Sequence, residues 1–236
     1  MKINNVFYLL ILILFGVHCI SLVPKEKLDQ CDVNKNGQIC NDIGIDYFKE
    51  GIKTKISYYL SKAEEYFNKS CQLDFTEGCI NFSEMYALEI SVNKNFKLAF
   101  ETNEKLCNKK VLVGCNNLAV MYAKGEYVEQ NFKKALELYQ FACNQKYYLS
   151  CKNIGTMYYL GQGVKEDKNK SIEYFELACK NHVGESCYYL SEMYRLGDGV
   201  EKDSTRSTFY LIYACNYGYK QACYILKKSG QFIVVP

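Results

Sequence analysis

Apolar positions recur along this chain with two nested periods. Within windows of about a dozen residues they fall three and four apart, the spacing of a helix with one buried face. Across the chain the whole pattern returns every 36 residues. Aligned on a recurring cysteine, the copies carry a small side chain eight residues earlier: Ala63, Ala99, Ala135, Ser171 and Ser207. Four residues before the cysteine they carry a large one, Phe67, Tyr139, Phe175 and Leu211, with Asn103 as the exception. Just before it they are mostly small, as at Ala142, Ala178 and Ala214. This predicts a helix A with a small-and-aromatic inner face. A second periodic run follows a second cysteine. Its third position is apolar (Phe82, Leu118, Ile154, Leu190, Leu226), and a Met-Tyr pair follows at Met85, Met121, Met157 and Met193. This predicts helix B. The glycines of Gly161-Gln162-Gly163 and Gly197-Asp198-Gly199 stand where a helix should stop. Each unit is therefore expected to be a helical hairpin, and a fixed period of this size marks a repeat array.

The cysteines sharpen the picture. Five pairs are each eight apart: Cys71 with Cys79, Cys107 with Cys115, Cys143 with Cys151, Cys179 with Cys187, and Cys215 with Cys223. Cys31 and Cys40 form a sixth pair in a degenerate first unit. Eight residues of continuous helix span about 12 Å. A disulfide needs Cα atoms about 5.5–6 Å apart, so Cys143 and Cys151 can bond only if the chain reverses between Asn144 and Leu149. A zinc site is the competing reading, but this is not zinc-ligand spacing and the only histidines are His18 and His182. Evenly paired cysteines in this number point to an oxidising compartment. The first unit has a short, polar first helix, as expected of a cap, and a loop about three residues longer than the others leads from it towards Cys71.

The start of the chain fits export. A short basic start precedes the apolar run Val6 to Val17, which is too short to span a bilayer comfortably. Residues 1–21 are read as a signal peptide. Cleavage after Cys19 or Ser21 removes the thirteenth cysteine, and lipidation of Cys19 is the alternative. Residues 22–228 are the array, and 229–236 are a tail carrying Phe232-Ile233-Val234-Val235, which either packs on the last hairpin or adds to a neighbouring molecule. A net charge of +3 leaves no nucleic-acid footprint. No cofactor or metal is expected, nor a stable membrane anchor once the leader is removed.

The unit at Ala135–Val164, A-x-x-x-[FY]-x-x-A-C…C-x-N-[IL]-[GA]-x-M-Y-x-x-G-x-G-V, resembles the Sel-one-like repeat (SLR), a tetratricopeptide-like hairpin. With a cysteine pair in each repeat and a leader, the chain resembles the Helicobacter cysteine-rich protein family. That resemblance implies a right-handed α-solenoid. It also implies a secreted or periplasmic protein that binds penicillin-type β-lactams and hydrolyses them slowly, or one that engages cell-wall fragments or host proteins.

Chemistry for hydrolysis is thin in the residues themselves. Ser91-Val92-Asn93-Lys94 matches S-x-x-K and Lys228-Ser229-Gly230 matches K-S-G, but no S-D-N occurs and the mixed α/β context is missing. A Ser-His-Asp triad would have to use His182, in a turn with no evident partner. The glycine loops follow helices, so capping accounts for them better than phosphate binding. Two polar rows remain. Glu65, Glu101, Glu137 and Glu173 share one register position, and Asn81, Asn117 and Asn153 share another, with Asp42 in the first unit. Both fit ordinary repeat positions. The asparagines also fit a ladder along a concave groove, able to hydrogen-bond a peptide backbone, a glycan or a lactam amide. Two functions stay open: an exported binding module for peptides, cell-wall fragments or a protein, and a slow β-lactamase.

Overall fold

The computed structural model describes residues 22–229. The leader and Cys19, the glycine of the K-S-G match and the apolar tail from residue 230 lie outside the described residues. Among the described residues there are twelve α-helices and no strand. They are α1 Lys25–Asp32, α2 Gly37–Thr54, α3 Ser57–Gln72, α4 Thr76–Ala87, α5 Phe96–Asn108 and α6 Leu112–Lys124. The rest are α7 Phe132–Asn144, α8 Tyr148–Leu160, α9 Lys168–Lys180, α10 Gly184–Leu196, α11 Ser204–Asn216 and α12 Lys220–Lys228. The chain divides between Gly78 and Cys79 into two compact units.

In the first unit, α1 is the short polar helix expected of a cap, and Cys31 and Cys40 join it to α2 with Cα atoms 4.9 Å apart. The longer connection read from the sequence is not a loop. The three extra residues go into helix: α2 has 18 residues, α3 has 16, and only Lys55 and Ile56 separate them. The stop falls later. In three of the later units the tenth residue after the second cysteine is Gly125, Gly161 or Gly197, each at a left-handed φ of 65° to 76° that ends helix B, and after Cys79 Glu89 takes that place at φ 56°. In the first unit that place is Glu50, so the helix continues until Lys55 itself turns left-handed at φ 60°. Helix α2 lies close against α3. A Cβ on Gly44 would stand 2.5 Å from Phe67 Cδ1, and Tyr47 stacks on Tyr66 with centroids 5.8 Å apart.

The second unit is the regular array, and its pattern residues are where the periodicity put them. Ala99, Ala135, Phe175, Ile154, Leu190 and Leu226 are all buried, as are Met121, Met157 and Met193. Each fully buried aliphatic side chain contributes about 1.5–3 kcal/mol. Hairpins reverse over three residues, as at Gln145–Tyr147, where Lys146 adopts φ 69°.

The reversal brings the cysteines on either side together, and the pairs are those expected from the spacing. Cys107 bonds Cys115 with Cα atoms 4.5 Å apart, and Cys143 bonds Cys151 at 4.9 Å. Cys179 bonds Cys187 at 4.8 Å, and Cys215 bonds Cys223 at 4.7 Å. All four distances are shorter than the 5.5–6 Å used to argue for a turn, and all lie within the range that a disulfide spans. Cys115 and Cys187, at the starts of α6 and α10, are fully buried. Cys223, in α12, is half-buried. These residues therefore serve as staples between helix A and helix B. Closing a loop this short contributes about 2.5 kcal/mol in the chain-entropy model.

Successive hairpins are joined by size-matched pairs. The fourth residue after a second cysteine meets the large residue four before the next first cysteine. Gly155 faces Phe175, and a Cβ there would lie 2.7 Å from the ring. Ala119 and Tyr139 share one core cluster. Where the large residue is Asn103, its partner is Ser83, whose hydroxyl donates to Asn103 Oδ1. The exception in the apolar pattern is thus one end of a polar pair. A second device was not read from the sequence. Asn95, Asn131, Asp167 and Asp203 recur every 36 residues as N-caps of helix A, each accepting a backbone N–H from the first turn. The backbone N–H groups of Asn131, Asp167 and Asp203 donate to Tyr122, Tyr158 and Tyr194 carbonyls at 2.8 to 3.0 Å, tying each cap to the preceding helix B.

Candidate binding cleft

Helix A of one unit packs against helix B of the unit before it, and hollows form between the C-terminal halves of neighbouring B helices. Between α8 and α10 this leaves a cleft of about 330 Å³. Phe175 of α9, with Tyr159 and Tyr189, supplies aromatic lining. Leu160, Leu196 and Met193 add aliphatic surface. Leu160 and Leu196 end consecutive B helices and are 54% and 60% exposed.

Polar groups at this cleft are fixed by their neighbours. Tyr159 donates its hydroxyl to Asp198 Oδ2 at 2.6 Å, and Lys168 donates to the other oxygen of the same carboxylate. The two bonds, Lys168's first, hold the Asp198 carboxyl below its usual range. Tyr189 donates to Glu185 at 2.8 Å; burial, and then that bond, push its phenol up. Glu192 accepts from both Nε and an Nη of Arg195, at 3.0 and 2.6 Å. Thr156 bonds its own helix, Oγ1 to the Lys152 carbonyl at 3.2 Å. These contacts hold the walls in place. None of them pairs a nucleophile with a base.

The residues singled out in the sequence fall in other places. Asn117 is 5% exposed. Its amide donates to Ser83 Oγ at 2.9 Å, and its oxygen accepts from Asn116 at 3.1 Å. Asn116 Oδ1 in turn accepts from Ser150 at 2.9 Å and Asn153 at 3.0 Å. With Asn103 and Ser83 these groups form a polar chain inside the array, from α5 to α8. Asn81 is half-buried on α4. The same register position in the next unit is Tyr189, which does line the cleft. Following that row one unit beyond its asparagines was the signal that could have found the site. Glu101, Glu137 and Glu173 are exposed on helix A; Glu101 and Glu137 stand 3.9 and 3.8 Å from Lys97 and Lys134 of their own helices.

The hydrolytic candidates do not assemble. Ser91 Oγ accepts the backbone N–H of Lys94 at 3.2 Å, so the S-x-x-K match is a turn, and Lys94 is exposed at φ 47°. His182 is exposed at the left-handed turn position, φ 69°, with its ring 4.5 Å from Tyr217. Among the described residues no group of His, Cys, Asp and Glu could hold a metal ion, and no helix is long and apolar enough to cross a membrane.

Fold and cleft together define a repeat protein of disulfide-stapled helical hairpins. The chain belongs to the Sel1 repeat family: that family's model matches residues 56–75, 112–147, 149–182 and 184–219, just over half of the chain. Among solved structures, a Sel1 repeat protein from Oxalobacter formigenes aligns at 22% identity and a TM-score of 0.64, covering 79% of this chain and 75% of that one. A protective antigen of uropathogenic Escherichia coli, displaying an SLR fold, aligns at 22% identity and 0.63, over 85% of this chain and 42% of that one. Helicobacter pylori cysteine rich protein B is 28% identical over 58% of this chain and 98% of its own, with a TM-score of 0.46. No curated protein matches the chain by sequence.

Proposed function

We propose that this is an exported, non-enzymatic binding module that engages a partner protein through the α8–α10 cleft. The carrying observation is the cleft itself, an apolar hollow whose lip holds two exposed leucines in register. Exposed apolar surface around a concavity marks interaction sites more often than it marks anything else. Export is supported by five disulfides with mutual Cα distances of 4.5 to 4.9 Å, which belong to oxidising compartments. The β-lactamase reading rests on resemblance. Its sequence candidates, Ser91 with Lys94, form a turn that offers the serine no base.

Two assays on purified, oxidised protein test this. Random-peptide display should enrich a consensus on the parent that is lost on Leu196→Arg. Turnover of a chromogenic cephalosporin that disappears in Ser91→Ala would overturn the reading in favour of hydrolysis.

A further inference from the structure

We propose that the α8–α10 cleft takes a cationic side chain on an apolar stem, an arginine or lysine presented by an exposed segment of a partner protein. This deepens the binding-module reading and rests on it. Three features of the lining converge. First, Phe175 and Tyr189 stand with ring centroids 5.2 Å apart, and Tyr159 joins them. Aromatic faces carry negative electrostatic potential and attract ammonium and guanidinium groups. Second, the charged groups of the lining are both carboxylates, Glu192 and Asp198. Their counter-cations, Arg195 and Lys168, are bonded to them but stand outside the lining. Third, Leu160 and Leu196 at the lip are exposed and suit the methylene stem that such a side chain buries while its head seeks polar partners.

Other occupants fit worse. An anionic group would face two carboxylates. A wholly apolar group would strip water from them without replacing its hydrogen bonds. The chain's own chemistry points the same way: in neighbouring positions of the array Lys170 Nζ lies 5.3 Å from the Tyr158 ring and the Arg206 guanidinium 5.4 Å from Tyr194. Lys168 already stands 5.8 Å from Tyr159, which leaves the half-buried Tyr189 ring, backed by the buried Phe175, for the incoming cation.

The test is an amide NMR titration of the oxidised protein with N-acetyl-leucyl-arginine amide, against the leucyl-glutamine and leucyl-glutamate counterparts, read at Thr156, Met193 and Leu196. The arginine compound should saturate the shifts at about tenfold lower concentration than the glutamine one, and the gap should shrink in high salt. Glu192→Gln should narrow it. Leu196→Arg, at an exposed lip position, should weaken the arginine compound most because it places a competing cation there. Equal titration by all three compounds overturns the cationic assignment and leaves the binding cleft standing. No shift at the cleft from any of them overturns the cleft as the binding site as well.

Discussion

Gly155 offers the sharpest trial of how the hairpins are joined. A glycine within a helix costs about 1 kcal/mol relative to alanine, so Gly155→Ala should stabilise α8 if the helix were alone. In the array the new Cβ would lie 2.7 and 2.8 Å from two carbons of the Phe175 ring and 3.2 Å from the Ser171 carbonyl oxygen. Phe175 is 3% exposed and cannot swing out. Overpacking of this kind costs about 1–3 kcal/mol, so against the helix gain of about 1 kcal/mol the substitution should destabilise by up to about 2 kcal/mol net. Phe175→Ala alone should cost about 3–5 kcal/mol through the cavity it leaves. In that background the ring clash is gone and only the tight Ser171 carbonyl contact remains, so Gly155→Ala should now stabilise by up to about 1 kcal/mol. The effect of one substitution thus depends on the other, a coupling of about 1–3 kcal/mol. Urea unfolding of the four oxidised proteins measures it. If Gly155→Ala has the same effect in both backgrounds, within about 0.5 kcal/mol, the account of size-matched packing between hairpins is wrong.

Asn117→Ala should remove the acceptor of the buried Asn116 amide and cost about 1–3 kcal/mol, lowering the melting temperature by about 2–4 °C for each kcal/mol; a melt within error of the parent would remove the polar chain as a structural element. Cys143→Ser should cost about 2.5 kcal/mol, and, because Cys151 is fully buried, the extra thiol should react with a thiol reagent only after unfolding. Cys71 and Cys79 share the eight-residue interval of the other pairs; peptide mapping by mass without reduction should recover these cysteines cross-linked to each other, and recovery of either one alkylated would refute the pairing. Asp198 has a depressed folded-state pKa, so its contribution should be complete above the ordinary carboxylate value of about 4 and be lost as pH falls below it. The gap in melting temperature between the parent and Asp198→Asn should accordingly be wide at neutral pH and close in acid; a gap that stays constant would count against the Lys168–Asp198–Tyr159 cluster.

Much of the fold was legible because repetition multiplies a weak signal. One alanine eight residues before a cysteine means little, but Ala63, Ala99 and Ala135 at a constant interval mark a helix face. The caps at Asn95, Asn131, Asp167 and Asp203 were equally periodic and could have been read in the same way. The cleft was less legible. Its lining comes from three helices and the turn after α10, and the register row that leads to it changes from asparagine to tyrosine at Tyr189. A sequence row also carries no sign of whether it faces inwards. Asn117 is as polar as an exposed binding residue would be, yet its hydrogen bonds run to Ser83 and Asn116 in the interior.

Local chemistry was enough to determine the hairpins. Apolar spacing sets which face of a helix is buried, glycine at a left-handed position sets where it stops, and a cysteine interval too long for a disulfide to bridge along one helix requires a turn. These depend on residues a few places apart, so one sequence contains them. Tertiary structure alone decided what lies between hairpins: that Gly155 exists to admit Phe175, that Asn103 is answered by Ser83, and that α8 and α10 part far enough to leave a cleft. Those outcomes depend on side chains 20 residues apart meeting across a packed surface. A period along the chain says that such meetings recur without saying what each one will hold.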